Sequence, residues 1–388
     1  MEKLIRITTV PISMNIILKG QLAFMNKYFE VIGISSHDEK HLREVGEREG
    51  IVTHAIEMPR TISPVKDLIA LCKLFIYFKK VKPTIVHTHT PKAGLLGMLA
   101  SKFAGVPIRL HTVGGLPLVE VEGAKRVLLN VIEKLTYACA HNVYPNSKGL
   151  KQIIIENNFC DENKLKVLGN GGSNGINTTF FAPNYIENAN EERENLRQKL
   201  QIESDDLVFC FVGRIATEKG IVELLDVFEE LQANHKIKLI LVGTFEKHYG
   251  ILGDDIKERI EKNTSILFLG RFDDVRPYYA MSDIYVFPSY REGFPNSVLE
   301  ASAMSLPCIV TDINGCNEII EDGNNGLLIK PKDRIELKSA MQKLIENPIY
   351  RNELASNARP HVEKYFKREV VWDALLGEYN NHINRIRK

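Results

Sequence analysis

The residues best suited to chemistry are in Ser289-Tyr-Arg-Glu292-Gly293-Phe294-Pro295-Asn296-Ser-Val298-Leu299-Glu300-Ala, where two carboxylates eight positions apart bracket a Gly-Phe-Pro turn. The segment follows the apolar run Ile284–Ser289. Glu292 is therefore expected at a strand-to-loop exit, where open α/β sheets bind ligands. Gly293 would let the backbone approach such a ligand closely. Ser297 is expected to cap a helix beginning at Val298, whose free N–H groups and positive dipole end make a seat for phosphate. A carboxylate on sugar hydroxyls beside that seat would hold a nucleotide sugar by both ends. Two plainer readings stay open. Ser297-x-x-Glu300 also fits a capping box, with Glu300 bonding back to the cap, and Glu292 alone could be an ordinary loop carboxylate.

A second cluster, Val212-Gly213-Arg214-Ile-Ala-Thr-Glu218-Lys219-Gly220, ends the predicted strand Val208–Ile215 and enters a helix carrying Val222, Leu224 and Leu225. Arg214 can fork onto phosphate oxygens and Lys219 can add a point charge. Together they would offset the negative charge that builds up as a nucleoside diphosphate leaves; the alternative is surface charge. Gly169-Asn-Gly171-Gly172-Ser-Asn174-Gly175 approaches the dinucleotide fingerprint but has Asn174 at its last position and comes late in its domain, which disfavours a nicotinamide or flavin enzyme. Arg109-Leu-His111-Thr-Val-Gly114-Gly115-Leu-Pro117 leaves a predicted strand, and His111 could meet a substrate hydroxyl or serve as a packed structural side chain. Glu120 and Glu122 follow that turn. His87 and His89 alternate onto one strand face without an adjacent carboxylate or Cys, so no metal site is expected.

These residues need elements to hold them. Short apolar runs followed by longer stretches of helical spacing recur through both halves, the pattern of parallel sheets wrapped by helices. Predicted strands are Leu4–Val10, Tyr28–Ser35, Ile51–Glu57, Thr84–Thr90, Pro107–Val113, Asn142–Ser147 and Leu165–Gly171, then Val208–Ile215, Lys238–Thr244, Ser265–Phe272, Ile284–Ser289, Pro307–Asp312 and Gly326–Lys330. The fold class is α/β, two doubly wound Rossmann-like domains facing a cleft. The polar, acidic stretch Asn184–Asp206 marks the boundary, giving domains at 1–183 and 184–361, with 362–388 a helix that no strand follows.

At 388 residues, 44% apolar and 26% charged, the chain has the composition of a globular protein of two domains, which excludes disordered and collagen-like classes. Six scattered cysteines without a C-x-x-C pair indicate neither a disulfide framework nor a zinc site. The start of the chain reads as a strand, so no signal peptide is expected, and no apolar run reaches the length of a spanning helix. Residues 1–180 hold 23 Lys+Arg against 15 Asp+Glu, whereas residues 181–388 hold 27 against 34. The excess is densest at 60–110, where nine basic residues face only Asp67, beside the apolar run Leu68–Phe78. That region suits anionic lipid headgroups or a phosphorylated acceptor, or else is the solvated rim of buried helices. Nothing suggests nucleic-acid binding.

The Gly213-Arg214…Glu218-Lys219-Gly220 and Glu292…Glu300 segments resemble those of retaining nucleotide-sugar glycosyltransferases of family 4, which have the GT-B fold. Asn146-Ser147 and Asn174-Gly175-Ile-Asn177 with Phe180 look like that family's first-domain landmarks. The resemblance implies that Arg214 and Lys219 bind the donor diphosphate, that Glu292 and the backbone after it, from Gly293 through Leu299, bind the donor sugar, and that Glu300 takes the ribose. Gly243–Thr244 and Leu269–Gly270–Arg271 would flank the base. It further implies retention, no metal or other cofactor, a C-terminal helix crossing back to the first domain, and an acceptor side containing His111, Gly114, Gly115 and Asn146. Where many relatives carry His or Glu before the turn glycine, this chain has Gly114.

Pro83–Thr90 and His111–Gly123 look most like capsule and O-antigen polysaccharide enzymes. The function expected is transfer from a nucleotide sugar, a UDP-sugar by family weight, to a hydroxyl of a polyprenyl-pyrophosphate-linked glycan, with the protein peripheral at the inner face of the cytoplasmic membrane. A nucleotide-sugar epimerase of similar architecture and a noncatalytic glycan- or lipid-binding partner are the alternatives.

Overall fold

The computed structural model describes residues 1–38, 40–116, 122–245 and 253–387. Contacts divide the chain into two units, one of residues 1–175 with 368–388 and one of residues 176–367.

In the first unit β1 (Lys3–Ile7), β2 (Glu30–Ser35), β3 (Val52–Ala55), β4 (Ile85–His89), β5 (Ile108–Val113) and β6 (Asn142–Pro145) form a parallel sheet in the order β3-β2-β1-β4-β5-β6. In the second, β7 (Leu207–Val212), β8 (Ile237–Val242), β9 (Ile266–Gly270), β10 (Ile284–Phe287), β11 (Cys308–Thr311) and β12 (Gly326–Ile329) pair in parallel in the order β12-β11-β10-β7-β8-β9. Each order changes direction once, between β1 and β4 and between β7 and β10, and a doubly wound sheet binds ligands at the carboxyl ends beside that point. The central strands are apolar on both faces because helices cover both. Phe209, Phe211, Tyr285 and Val286 are fully buried, and the helix Ile221–Gln232 seals one face with Leu224, Leu225 and Phe228.

The predicted strand Leu165–Gly171 is not one. Only Leu165 bridges to Val143, after which Gly169, Gly171 and Gly172 take left-handed backbone that no strand can hold. The chain passes between units at 175/176 and 367/368, against the expected 183/184 and 361/362. Residues 176–183 are tied into the second unit by the Ile176 N–H on the Phe366 carbonyl (2.8 Å) and by Arg359, which donates to the carbonyls of Thr178 and Phe181 (both 2.8 Å). Residues 362–365 complete the helix Pro348–Tyr365 of the second unit. The last helix, Arg368–Arg387, belongs to the first, burying Leu375, Tyr379 and Ile383 among Leu4, Ile85 and Leu110.

Candidate active site

The two sequence clusters of the second unit converge at the carboxyl ends of β7 and β10. Gly213 prolongs β7, its N–H on the Val242 carbonyl (2.9 Å). Residues Thr217–Lys219 then make one 3-10 turn, and Gly220 opens the helix Ile221–Gln232 at φ +70°. A Cβ at Gly220 would run into the carbonyl of Pro288, so glycine is what lets the turn lie against the end of β10. Across that contact Lys219 Nζ is hydrogen-bonded to Glu292 Oε1, beside the ring of Phe287 (5.5 Å). Both side chains are largely buried, at 12% and 15% exposure.

The Glu292 loop is fixed from several sides. The Ser289 hydroxyl lies 3.0 Å from Glu292 Oε1, the Tyr290 N–H donates to the Glu218 carbonyl (2.9 Å), and the Tyr290 hydroxyl donates to Glu223 (2.7 Å). Asn314 donates its amide to the carbonyls of Glu292 (2.9 Å) and Gly293 (3.1 Å). Asn314, Ser289 and Tyr290 were not marked by sequence reasoning as site-forming, since nothing local reveals which distant loop they bind. Arg214 is half exposed, its Nη2 3.0 Å from Glu218 Oε1. The site thus places two cations where a diphosphate would sit, and one carboxylate held beside them.

The helix after the Gly-Phe-Pro turn starts earlier than expected. It spans Asn296–Ala303, with Pro295 rather than Ser297 at the N-cap and no side-chain cap. The capping-box reading of Glu300 fails with it, because Glu300 accepts instead from the Tyr279 hydroxyl (3.1 Å). Its carboxyl is raised to about 7, burial pushing it up and Tyr279 pulling it partly back. Val298 and Leu299 are at most 1% exposed, so only their backbone can face a ligand. The first N–H groups of the helix have no acceptor within it and remain available to an anion. Phe294 packs on Phe366 (5.7 Å). Gly243 meets the Gly213 backbone so closely that a Cβ would overlap its carbonyl, and Arg271 is exposed after β9.

The first-unit candidates lie elsewhere in the fold. His111, on β5, is 2% exposed; its Nδ1 is bonded to Thr88 Oγ1 (2.8 Å), and burial lowers its pKa to about 4. Its surroundings are those of a packed neutral side chain. Gly114 and Gly115 follow β5 without left-handed backbone, and the Gly114 carbonyl accepts from the Asn146 amide (3.3 Å). Glu122 is exposed just before the helix Gly123–Cys139, while Glu120 lies outside the described residues. His87 is satisfied on both nitrogens, by Tyr379 (2.6 Å) and Thr112 (2.7 Å). Among the described residues no group of three His, Cys, Asp or Glu could hold a metal ion.

Comparison with known proteins places this geometry. The family model described as "Glycosyl transferases group 1" matches residues 192–361, and that of a "Glycosyl transferase 4-like domain" matches residues 29–171. The chain is 33% identical over 98% of its length, and 98% of the relative's, to the capsular polysaccharide biosynthesis glycosyltransferase CapM of Staphylococcus aureus. It is 30% identical over 79% of its length, and 78% of the other's, to the UDP-Gal:alpha-D-GlcNAc-diphosphoundecaprenol alpha-1,3-galactosyltransferase of Escherichia coli. Among solved structures, a glycosyltransferase from Rickettsia africae superposes with a TM-score of 0.82 at 20% identity, over 98% of both chains. Anabaena HepE in complex with UDP superposes with 0.80 at 18% identity, over 98% of this chain and 100% of that one. The fold is therefore the two-unit Rossmann-like GT-B architecture. By sequence the chain belongs to the group 1 glycosyltransferases, and it is an enzyme of sugar transfer.

Proposed function

We propose that the enzyme transfers a sugar, with retention at the anomeric carbon, from a UDP-sugar to a hydroxyl of a polyprenyl-pyrophosphate-linked glycan in surface polysaccharide synthesis. The observation that carries the reading is the Lys219–Glu292 pair held between β7 and β10 beside the uncapped helix Asn296–Ala303. Lys219, Arg214 and the helix N–H groups offset the charge of a departing diphosphate, which makes a divalent metal unnecessary. Glu292 receives donor hydroxyls and Glu300 the ribose. The acceptor oxygen attacks the anomeric carbon as its bond to the diphosphate breaks, and the acceptor's proton passes to a departing phosphate oxygen. UDP is favoured by the Escherichia coli relative, which uses UDP-Gal, and by HepE, which was crystallised with UDP and with UDP-glucose. The undecaprenol-linked substrates in the names of the Escherichia coli and Campylobacter jejuni relatives support the acceptor class.

Peripheral contact with an anionic membrane belongs to this proposal, and the first unit supplies its support. No helix is long and apolar enough to cross a membrane. The helix Pro64–Val81 nevertheless exposes Val65, Leu68, Ile69 and Ile76 along one stripe while burying Ala70, Leu74 and Phe78 on the other. The helix Gly123–Cys139 exposes Val127, Leu128, Val131 and Leu135 in the same way, and Pro91–Ala104, in contact with both, exposes Phe103. Exposed Lys66, Lys73, Lys79, Lys80, Lys125 and Lys134 lie on the same two outer helices. Outward apolar stripes bordered by lysine suit the interface of an anionic leaflet.

The test is incubation of purified protein, in buffer containing a chelator, with UDP-, GDP- and ADP-sugars and a short-chain polyprenyl-pyrophosphate glycan. The expected result is product from a UDP-sugar alone, with the donor's anomeric configuration kept. An inverted linkage, a requirement for added metal, use of another nucleotide, or epimerised donor without acceptor would overturn the corresponding part.

A further inference from the structure

Arg6, on β1, is fully buried, yet none of the ion pairs among the described residues involves it. Its hydrogen-bond partners are neutral. Nη2 donates to Gln21 Oε1 (2.6 Å), and Nε and Nη2 face His89 Nε2 (3.2 and 2.8 Å). Gln21 is committed in turn, its amide donating to the Ser173 carbonyl (3.0 Å) and to Asn174 Oδ1 (3.2 Å). Arg6 Nη1 is left without a partner. Since His89 accepts through Nε2, its proton sits on Nδ1, and that N–H is also unanswered. Burial and the charge of Arg6 keep His89 neutral, well below the usual imidazole value. Burial keeps the nearby Tyr379 hydroxyl protonated, raised to about 12. Neither group therefore supplies a counter-charge.

Both unanswered donors belong to residues lining one cavity of about 10 Å³, together with Gln21, Asn146 and Gly172. That volume admits one atom-sized guest. It is too small for a whole phosphate, sulfate or carboxylate. A water molecule could meet the hydrogen bonds but would leave the guanidinium charge uncompensated inside the protein, an arrangement that is strongly unfavourable. The Asn146 Oδ1 atom, also without a partner, repels negative charge and so confines it to the Arg6 and His89 wall.

We propose that this cavity binds a single small monovalent anion of halide size, held by the Arg6 guanidinium and the His89 Nδ1–H. The site is independent of the donor site in the second unit. The direct test is anomalous diffraction from crystals of the full chain equilibrated with sodium bromide. One bromide peak within hydrogen-bonding reach of Arg6 Nη1 and His89 Nδ1 is expected; a water there with bromide absent, or no density, overturns the proposal. In solution, bromide and chloride should raise Tm saturably relative to gluconate at fixed ionic strength in the native chain and not in Arg6→Met, whereas equal responses in both overturn it. Should Arg6→Met not fold, the diffraction experiment on the native chain decides alone.

Discussion

The Lys219 ammonium and the Glu292 carboxylate, 73 positions apart in the chain, neutralise each other in a largely buried contact. The cation best placed to receive a leaving diphosphate is thus held by the carboxylate proposed to receive the sugar. Binding of a nucleotide sugar must divide the pair between two parts of one substrate. Lys219→Ala is expected to lower kcat/KM by about 100- to 1000-fold, as loss of a preorganised charge donor does. It also strands Glu292, so the single variants Lys219→Ala and Glu292→Ala should each lower Tm more than expected from the double variant. Thermal melts of the three, with the kinetics of Lys219→Ala, check both halves of the argument; strictly additive Tm changes would mean that the pair is not coupled.

Glu300 gives a pH signature. Its carboxyl is raised from 4.5 to about 7 by burial, so the folded protein binds a proton over this range that the unfolded chain has released. Stability must therefore fall as pH rises from about 4.5 to about 7 and be flat beyond, by at most about 3 kcal/mol. Glu300→Gln should remove this slope. Because ribose hydroxyls donate to the ionised form, UDP should bind about tenfold more weakly at pH 6 than at pH 8, with proton release on binding. Calorimetry in buffers of different ionisation enthalpy measures that release, and a pH-independent affinity would remove Glu300 from the nucleotide site.

Much of this site was legible in sequence because the features were local. Each of the six strands predicted for the second half exists, since runs such as Val208–Ile215 are continuously apolar and buried on both faces. The two charged clusters then fall at strand ends by position alone. What failed was local competition. Ser297 offered a good cap, but Pro295, with φ already near the helical value, takes the N-cap position. Leu165–Gly171 read as a strand until its glycines are given their left-handed backbone. What was not legible was long-range. The Asn314 contacts to the Glu292 loop, the Tyr290–Glu223 bond and the isolation of Arg6 depend on partners that no spacing announces. The outward stripe of Pro64–Val81 was hidden for a related reason: periodicity finds apolar residues but does not say which face a neighbour covers.

Two glycines give opposite expectations. Gly220 has φ +70° and faces the Pro288 carbonyl, so Gly220→Ala should destabilise by about 1–3 kcal/mol or more and disturb the turn that carries Lys219. Gly114 has ordinary backbone, and its Cβ would meet only Asn146 Nδ2 at 3.9 Å. Gly114→Ala should change stability by no more than about 0.5 kcal/mol. Chemical denaturation of both variants measures the contrast. If Gly114→Ala also leaves turnover unchanged, the absence of a His or Glu there reflects no steric demand of this fold, and Gly114→His becomes a fair probe of the acceptor side.

The exposed apolar stripes predict a membrane interaction that salt weakens without abolishing. Lysines near an anionic surface contribute about 1 kcal/mol each and are screened, whereas inserted side chains are not. Leu68→Ser, Ile76→Ser and Val131→Ser each remove about 1–2 kcal/mol of apolar transfer. Combined, they should reduce partitioning onto vesicles containing phosphatidylglycerol by on the order of 100-fold at high salt. Because all three residues are more than half exposed, Tm should change little. Cosedimentation across a salt series separates the two contributions. Binding that vanishes at high salt in the native chain would assign the contact to charge alone, and a large fall in Tm of the triple variant would show that the stripes hold the protein together instead of facing lipid.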